Sequence, residues 1–218
     1  PHISVRQVWQ PYALVAVISP WNFPLLLSLI DAIPALAAGS AVLVKPSEVT
    51  PRFVAPLLAA LAEVPALAGV LGFAIGAGDV GAAVVDVVDL VCFTGSVRTG
   101  RRVGEACARR FIPAFLELGG KDPAIVLADA DIARAARAIA WGGFVNGGQS
   151  CMSIERVYVE DAVADAFIDA LCAQARALRL AHPTPRDGHI GPIISAAQIE
   201  IVREQLTDAV ARGARALT

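Results

Sequence analysis

The chain has 218 residues, of which 56% are hydrophobic and 17% charged, with a mean hydropathy of +0.61 and a net charge of −2. That charge gives no basic footprint for a nucleic acid, and no run approaches the roughly 20 uninterrupted apolar residues a membrane-spanning helix needs. The apolar excess over an ordinary soluble balance predicts faces that packing partners cover, and poor solubility or association where these 218 residues stand alone.

In chain order, residues 8–18 read as extended chain broken at Pro11, and residues 25–38 as one helix stopped by Gly39. A strand at 41–45 leads to a helix at 51–63, with Thr50 as its expected N-cap. A strand at 70–75, a short helix at 79–85, a buried strand at 89–93 and a helix at 99–110 follow. Residues 112–116 and 124–127 are predicted strands, 131–144 a helix begun by an Asp, 155–159 a strand and 162–178 an amphipathic helix. Strands alternating with helices of this length imply right-handed crossovers and a mostly parallel sheet. The expectation is an α/β, Rossmann-like sheet with flanking helices over residues 1–119, then part of a second α/β domain over 120–218.

Cys92, Cys107 and Cys172 lie in apolar or helical contexts and read as reduced, buried hydrophobes. The four cysteines form no CxxC pair and no metal-ligand spacing, so no metal is expected and a reducing cytoplasm is the default compartment. Cys151 differs, because it follows Gly147-Gly148-Gln149-Ser150, a polar, glycine-rich loop that should expose the thiol. On these residues alone, a nucleophile and an incidental surface cysteine are equally good readings. Glu117 ends what reads as a buried strand, where desolvation could make it a general base or packing could make it a cap.

Gly76-Ala77-Gly78-Asp79-Val80-Gly81 is a literal GxGxxG between a strand and a helix. The acidic partner that normally closes the next strand is missing, because that strand ends Phe93-Thr94-Gly95-Ser96. Lys45-Pro46-Ser47-Glu48, after a strand, could hold ribose hydroxyls or a phosphate, or form an ordinary surface ion pair.

Five segments in one order then resemble the aldehyde dehydrogenase superfamily. They are Pro20-Trp21-Asn22-Phe23-Pro24, Lys45-Pro46-Ser47-Glu48, Phe93-Thr94-Gly95-Ser96, Glu117-Leu118-Gly119-Gly120-Lys121 and Gly148-Gln149-Ser150-Cys151. The resemblance implies that Cys151 attacks the aldehyde, with the Asn22 amide and the Cys151 N–H as the oxyanion hole. It implies that Glu117 activates the water that hydrolyses the thioester. It also implies that Lys45 and Glu48 hold the adenosine ribose and that Trp21, Phe93, Gly95 and Ser96 line the cofactor cleft, with Ser47, Gly78, Gly81 and Leu118 as further cofactor-binding residues. Glu48 would repel a 2′-phosphate, which favours NAD over NADP. A homo-oligomeric parent is implied too.

Family members extend further at both ends, and a Glu-x-Phe-Gly-Pro motif expected downstream is not reached, so the chain reads as a fragment. Residues 181–188 are an unusual link into Ile190-Gly191-Pro192-Ile193. A CoA-acylating relative and a catalytically silent module stand as alternatives, and aliphatic, aromatic and semialdehyde substrates all stay open.

Overall fold

Short β-branched runs and Ala-rich helices fold into two units in the computed structural model, which describes residues 2–218; the first unit ends at Gly119 and the second begins at Gly120. The first contains a five-stranded parallel sheet built from β1 (Leu14–Ile18), β2 (Ala41–Lys45), β3 (Leu71–Phe73), β4 (Leu90–Thr94) and β5 (Ala114–Glu117). Its spatial order is β3-β2-β1-β4-β5. The order reverses between β1 and β4, which pair from Val15↔Leu90 to Ile18↔Phe93. In a doubly wound sheet, the crevice for a ligand opens beyond the carboxyl ends of those two strands.

Side chains alternate across the sheet, so each face has its own core. Val15, Val17, Val42, Val44 and Leu90 pack against α2 (Ala32–Ala38), where Ala32 is fully buried. Ala16, Ile18, Val91 and Phe93 pack against α5 (Gly78–Val85) and α6 (Val97–Arg109) through Val84, Val85 and Cys107. The Arg110 guanidinium donates to the Val85 and Val88 carbonyls and so fastens the end of α5 to the start of β4.

The predicted helix at 25–38 is two helices, α1 (Pro24–Leu29) and α2. Pro34 explains the division: it has no N–H to donate in a helix interior but is tolerated in a first turn, and it is the third residue of α2. Thr50 does not cap the next helix, α3 (Val54–Ala62); a 3₁₀ turn, Pro51–Phe53, intervenes, and Thr50 Oγ1 donates instead to the Trp21 carbonyl at 3.1 Å. A one-turn helix, α4 (Pro65–Ala68), lies in a stretch where the sequence suggested none. β5 is not the buried strand expected: it is a sheet edge with Phe115 and Glu117 exposed.

The second unit pairs β6 (Asp122–Val126) with β7 (Ile154–Val159) in parallel, joined through α7 (Ile132–Phe144). Val126, Ala136, Ile139 and Phe167 form its core, the last from α8 (Ala164–Arg176). Asp131 caps α7 by accepting from Arg134 N at 3.0 Å. α9 (Ala196–Ala211) was not foreseen, although Ser195 and Gln198 carry a capping-box pattern; Ser195 Oγ accepts from Gln198 N at 3.3 Å. No helix of the described residues is long and apolar enough to cross a membrane.

Candidate active site

In the first unit, β1 ends in a turn that is held from two sides. Ser19 Oγ and Ser28 Oγ share a buried hydrogen bond of 2.6 Å, tying the strand end to α1, while Thr50 holds the Trp21 carbonyl. Asn22 sits in this fixed turn with its side-chain oxygen buried. Beside the turn, a cleft of about 560 Å³ opens at the β1/β4 crevice. Trp21, Lys45, Ser47, Glu48, Gly78, Gly81, Phe93, Gly95 and Ser96 all line it, together with Thr99 and Arg102 of α6, which the sequence reading did not single out. Their signal was the 3.6-residue period of α6, which carries both to the turns above Ser96. Leu118 is not among the lining residues; it packs on α6, where a Cβ at Gly100 would meet Leu118 Cδ2 at 2.5 Å.

Lys45 is buried and donates through Nζ to Glu48 Oε2 at 3.1 Å, while Glu48 stays largely exposed. Glu48 is held below the usual carboxylate range, first by its own backbone N–H and then by Lys45, against a smaller opposing effect of burial than that backbone bond. The result is an ionised carboxylate with a fixed direction at the cleft mouth. Ser96 caps α6, its Oγ accepting from Thr99 N at 3.2 Å, and the first turn of a 13-residue helix thus opens on the cleft. Gly95 is required by contact: a Cβ there would lie 2.6 Å from Phe93 Cζ. A crevice with hydroxyl acceptors at one end and a helix N-terminus at the other fits a dinucleotide. The GxGxxG contributes only its last two glycines, on α5.

Glu117 is the last residue of β5, opposite Thr94, and its backbone carbonyl accepts from Gly95 N at 3.0 Å. Its carboxylate is exposed rather than desolvated by a surrounding strand.

In the second unit, α7 gives way to three consecutive left-handed residues, Asn146, Gly147 and Gly148, at φ of 56°, 68° and 76°. The two glycines are therefore there for the turn itself, since L side chains resist this region. Gln149 holds the loop. Its Nε2 donates to the Asn146 carbonyl at 2.8 Å and the Pro192 carbonyl at 3.4 Å, and its Oε1 accepts from Ile194 N at 2.9 Å. Buried Ser153 closes the other side through Gly148 O at 3.2 Å. Cys151 stands exposed at the crest, whereas Cys107 is buried and Cys92 and Cys172 are half-buried. Among the described residues no three His, Cys, Asp or Glu side chains converge so as to hold a metal ion.

An exposed thiol on a braced loop, following a dinucleotide-type crevice along the chain, agrees with the family comparison: the model of the aldehyde dehydrogenase family matches residues 2–218. The chain belongs to the aldehyde dehydrogenase family. It is 44% identical over 220 residues to the 4,4'-diapolycopene aldehyde oxidase of Methylomonas sp, which covers 99% of this chain and 41% of that protein. It is also 44% identical over 205 residues to a Mycolicibacterium smegmatis protein provisionally named succinate-semialdehyde dehydrogenase (NADP+), covering 94% and 40%. Among solved structures, a provisionally named aldehyde dehydrogenase, PutA, from Anabaena variabilis is 60% identical, with a TM-score of 0.91 over 94% of this chain and 44% of that one. The chain thus spans about two fifths of the length of the curated relatives it matches.

Proposed function

We propose that these residues serve the oxidation of an aldehyde to a carboxylic acid, with NAD as oxidant and Cys151 as nucleophile. The observation that carries this reading is the exposed Cys151 thiol on its Gln149-braced loop in a chain of this family. Cys151 Sγ, as thiolate, forms a bond to the aldehyde carbon while the carbonyl electron pair moves to oxygen. The Asn22 amide and the Cys151 backbone N–H donate to that oxyanion. Collapse of the oxyanion restores the C=O bond and releases hydride from the carbon, leaving a thioester on Cys151. NAD, when bound, supplies the acceptor for that hydride. Glu117 takes a proton from water as the water oxygen attacks the thioester carbon; the C–S bond breaks, the acid leaves and the thiolate is restored.

Lys45, Ser47 and Glu48 are the ribose-holding residues in this reading, Gly95 and Ser96 receive the pyrophosphate, and Trp21, Phe93, Gly78 and Gly81 form walls. NADP is the second reading. It is favoured by Arg102 in the same cleft, a cation that could meet a 2′-phosphate, and by the name of the M. smegmatis relative. Comparative titration with the two dinucleotides separates the readings. The two relatives are named for different aldehydes, so the substrate class is left as an aldehyde.

The mechanism is tested by rapid-mixing kinetics on the protein carrying these residues. Glu117→Gln should keep the acylation burst and lose steady-state turnover by about 10²- to 10⁴-fold, the usual worth of a positioned base. Cys151→Ala should abolish both. Loss of the burst in Glu117→Gln would overturn the base assignment.

A further inference from the structure

Arg102 lines the dinucleotide-type cleft with its charge uncommitted. Lys45, in the same cleft, is paired with Glu48, and Arg110, at the far end of α6, is tied to backbone carbonyls. Among the described residues, the exposed Arg102 guanidinium takes part in no ion pair or hydrogen bond. A cation held by nothing on a cleft wall is free to meet a ligand, and the surrounding wall indicates which part of it.

α5 and α6 pack on one face of the sheet, α5 against β1 and β2 and α6 against β4 and β5. Each turns a stripe to the cleft: Gly78, Gly81 and Ala82 from α5, and Thr99, Arg102 and Val103 from α6. Positions three and four apart share a helix face, so each stripe is continuous. The α5 wall is nearly bare backbone, and packing within the fold does not demand this. A Cβ at Gly76 would run into Val80, but one at Gly78 or Gly81 would meet nothing within 4 Å. The last two glycines of the GxGxxG thus keep a slot open between the helices. Bare backbone on one side and a largely apolar stripe on the other suit a flat, weakly hydrated ring.

We infer that Arg102 is a specificity-determining residue for the adenine base, its guanidinium plane lying on one face of the ring while the backbone of 78–81 covers the other. This rests on the cleft taking a dinucleotide and deepens that reading. A guanidinium is planar, delocalised and weakly hydrated, so it stacks on aromatic faces where a compact ammonium does not. A 2′-phosphate is the other use for the charge, and the placement argues against it. Glu48 follows β2, so a phosphate on a ribose held there meets that ionised carboxylate first. Arg102 stands instead on α6, on the β4 side of the cleft, against the base rather than the sugar.

The test is calorimetric binding to the protein carrying these residues, with NAD, NADP and nicotinamide mononucleotide, which has no adenine, as ligands. R102A and R102K should each weaken NAD and NADP alike by about 3- to 30-fold, the worth of a stacked cation. Binding of the mononucleotide should stay as in the parent. The side chain is exposed, and Ala and Lys are good helix formers, so both variants should fold. Gly81→Leu probes the other wall: it fills space the fold leaves open and should weaken both dinucleotides without lowering the melting temperature. NADP affinity that falls in R102A but is kept in R102K, with NAD unmoved, would assign the charge to a 2′-phosphate and overturn the stacking. Unchanged binding of both dinucleotides in R102A and R102K overturns the inference alone. A parent that binds neither dinucleotide sinks the dinucleotide reading, and the inference with it.

Discussion

On β4, burial pushes the Cys92 thiol up to about 11, with the negative charge of Asp31 adding to it. An unfolded cysteine releases its proton near about 8.5. Between those values the folded chain holds a proton that the unfolded chain has lost, so stability is fully present below the lower value and falls as pH rises through the higher. Cys107 acts in the same direction, its burial outweighing the opposing charge of Arg110. Denaturant unfolding between pH 7 and 11 should show this decline, and Cys92→Ala should flatten it; an unchanged slope would count against the burial of that thiol. The residues legible in the sequence were those whose chemistry is local, such as Cys151 in its polar loop and Lys45 with Glu48 three residues on. Arg110 and Asp31 were not, because each meets its neighbour only when a crossover brings a second element beside it, and Arg102 because it lines the cleft only once α6 is in place.

Among the elements, the Cys151 loop depends on one side chain more than on any regular structure. Gln149 reaches the backbone of 192 and 194 as well as Asn146. Gln149→Ala leaves these groups to water and should cost about 1–3 kcal/mol, the penalty for unmade bonds in a partly buried setting. Hydrogen exchange should rise together in 146–153 and 190–194, and Cys151 acylation should slow. Exchange that rises in only one segment would show the two to be independently held. The alternation of strands and helices was readable because Val- and Ile-rich runs and Ala-rich periods differ in composition. The break between α1 and α2 was overlooked although Pro34 marks it, and α9 although Ser195 and Gln198 mark it. Continuous hydrophobicity hid the first, and weak amphipathicity hid the second. The misread burial of β5 has a different cause: Ile112 to Leu116 is apolar, but its place at the end of the strand order is a matter of topology.

For the whole molecule, apolar surface is the dominant property. Phe111 is 98% exposed and Phe115 63%, and β5 presents an unpaired edge, the kind of surface through which strands add to one another. Light scattering of the 218-residue chain should report a mass that grows with concentration, together with binding of a hydrophobic dye. A monodisperse monomer that unfolds cooperatively would refute this expectation. The parallel sheet of the first unit carries one more consequence. Asn22, Lys45, Glu48, Ser96 and Glu117 all follow from strand ends at a single rim, whereas the opposite rim, where Ala41, Leu90 and Ala114 begin their strands, bears none of them. That rim is a place for protein engineering: an affinity handle or a fluorophore attached at the exposed Phe111 should report on the molecule without touching its chemistry.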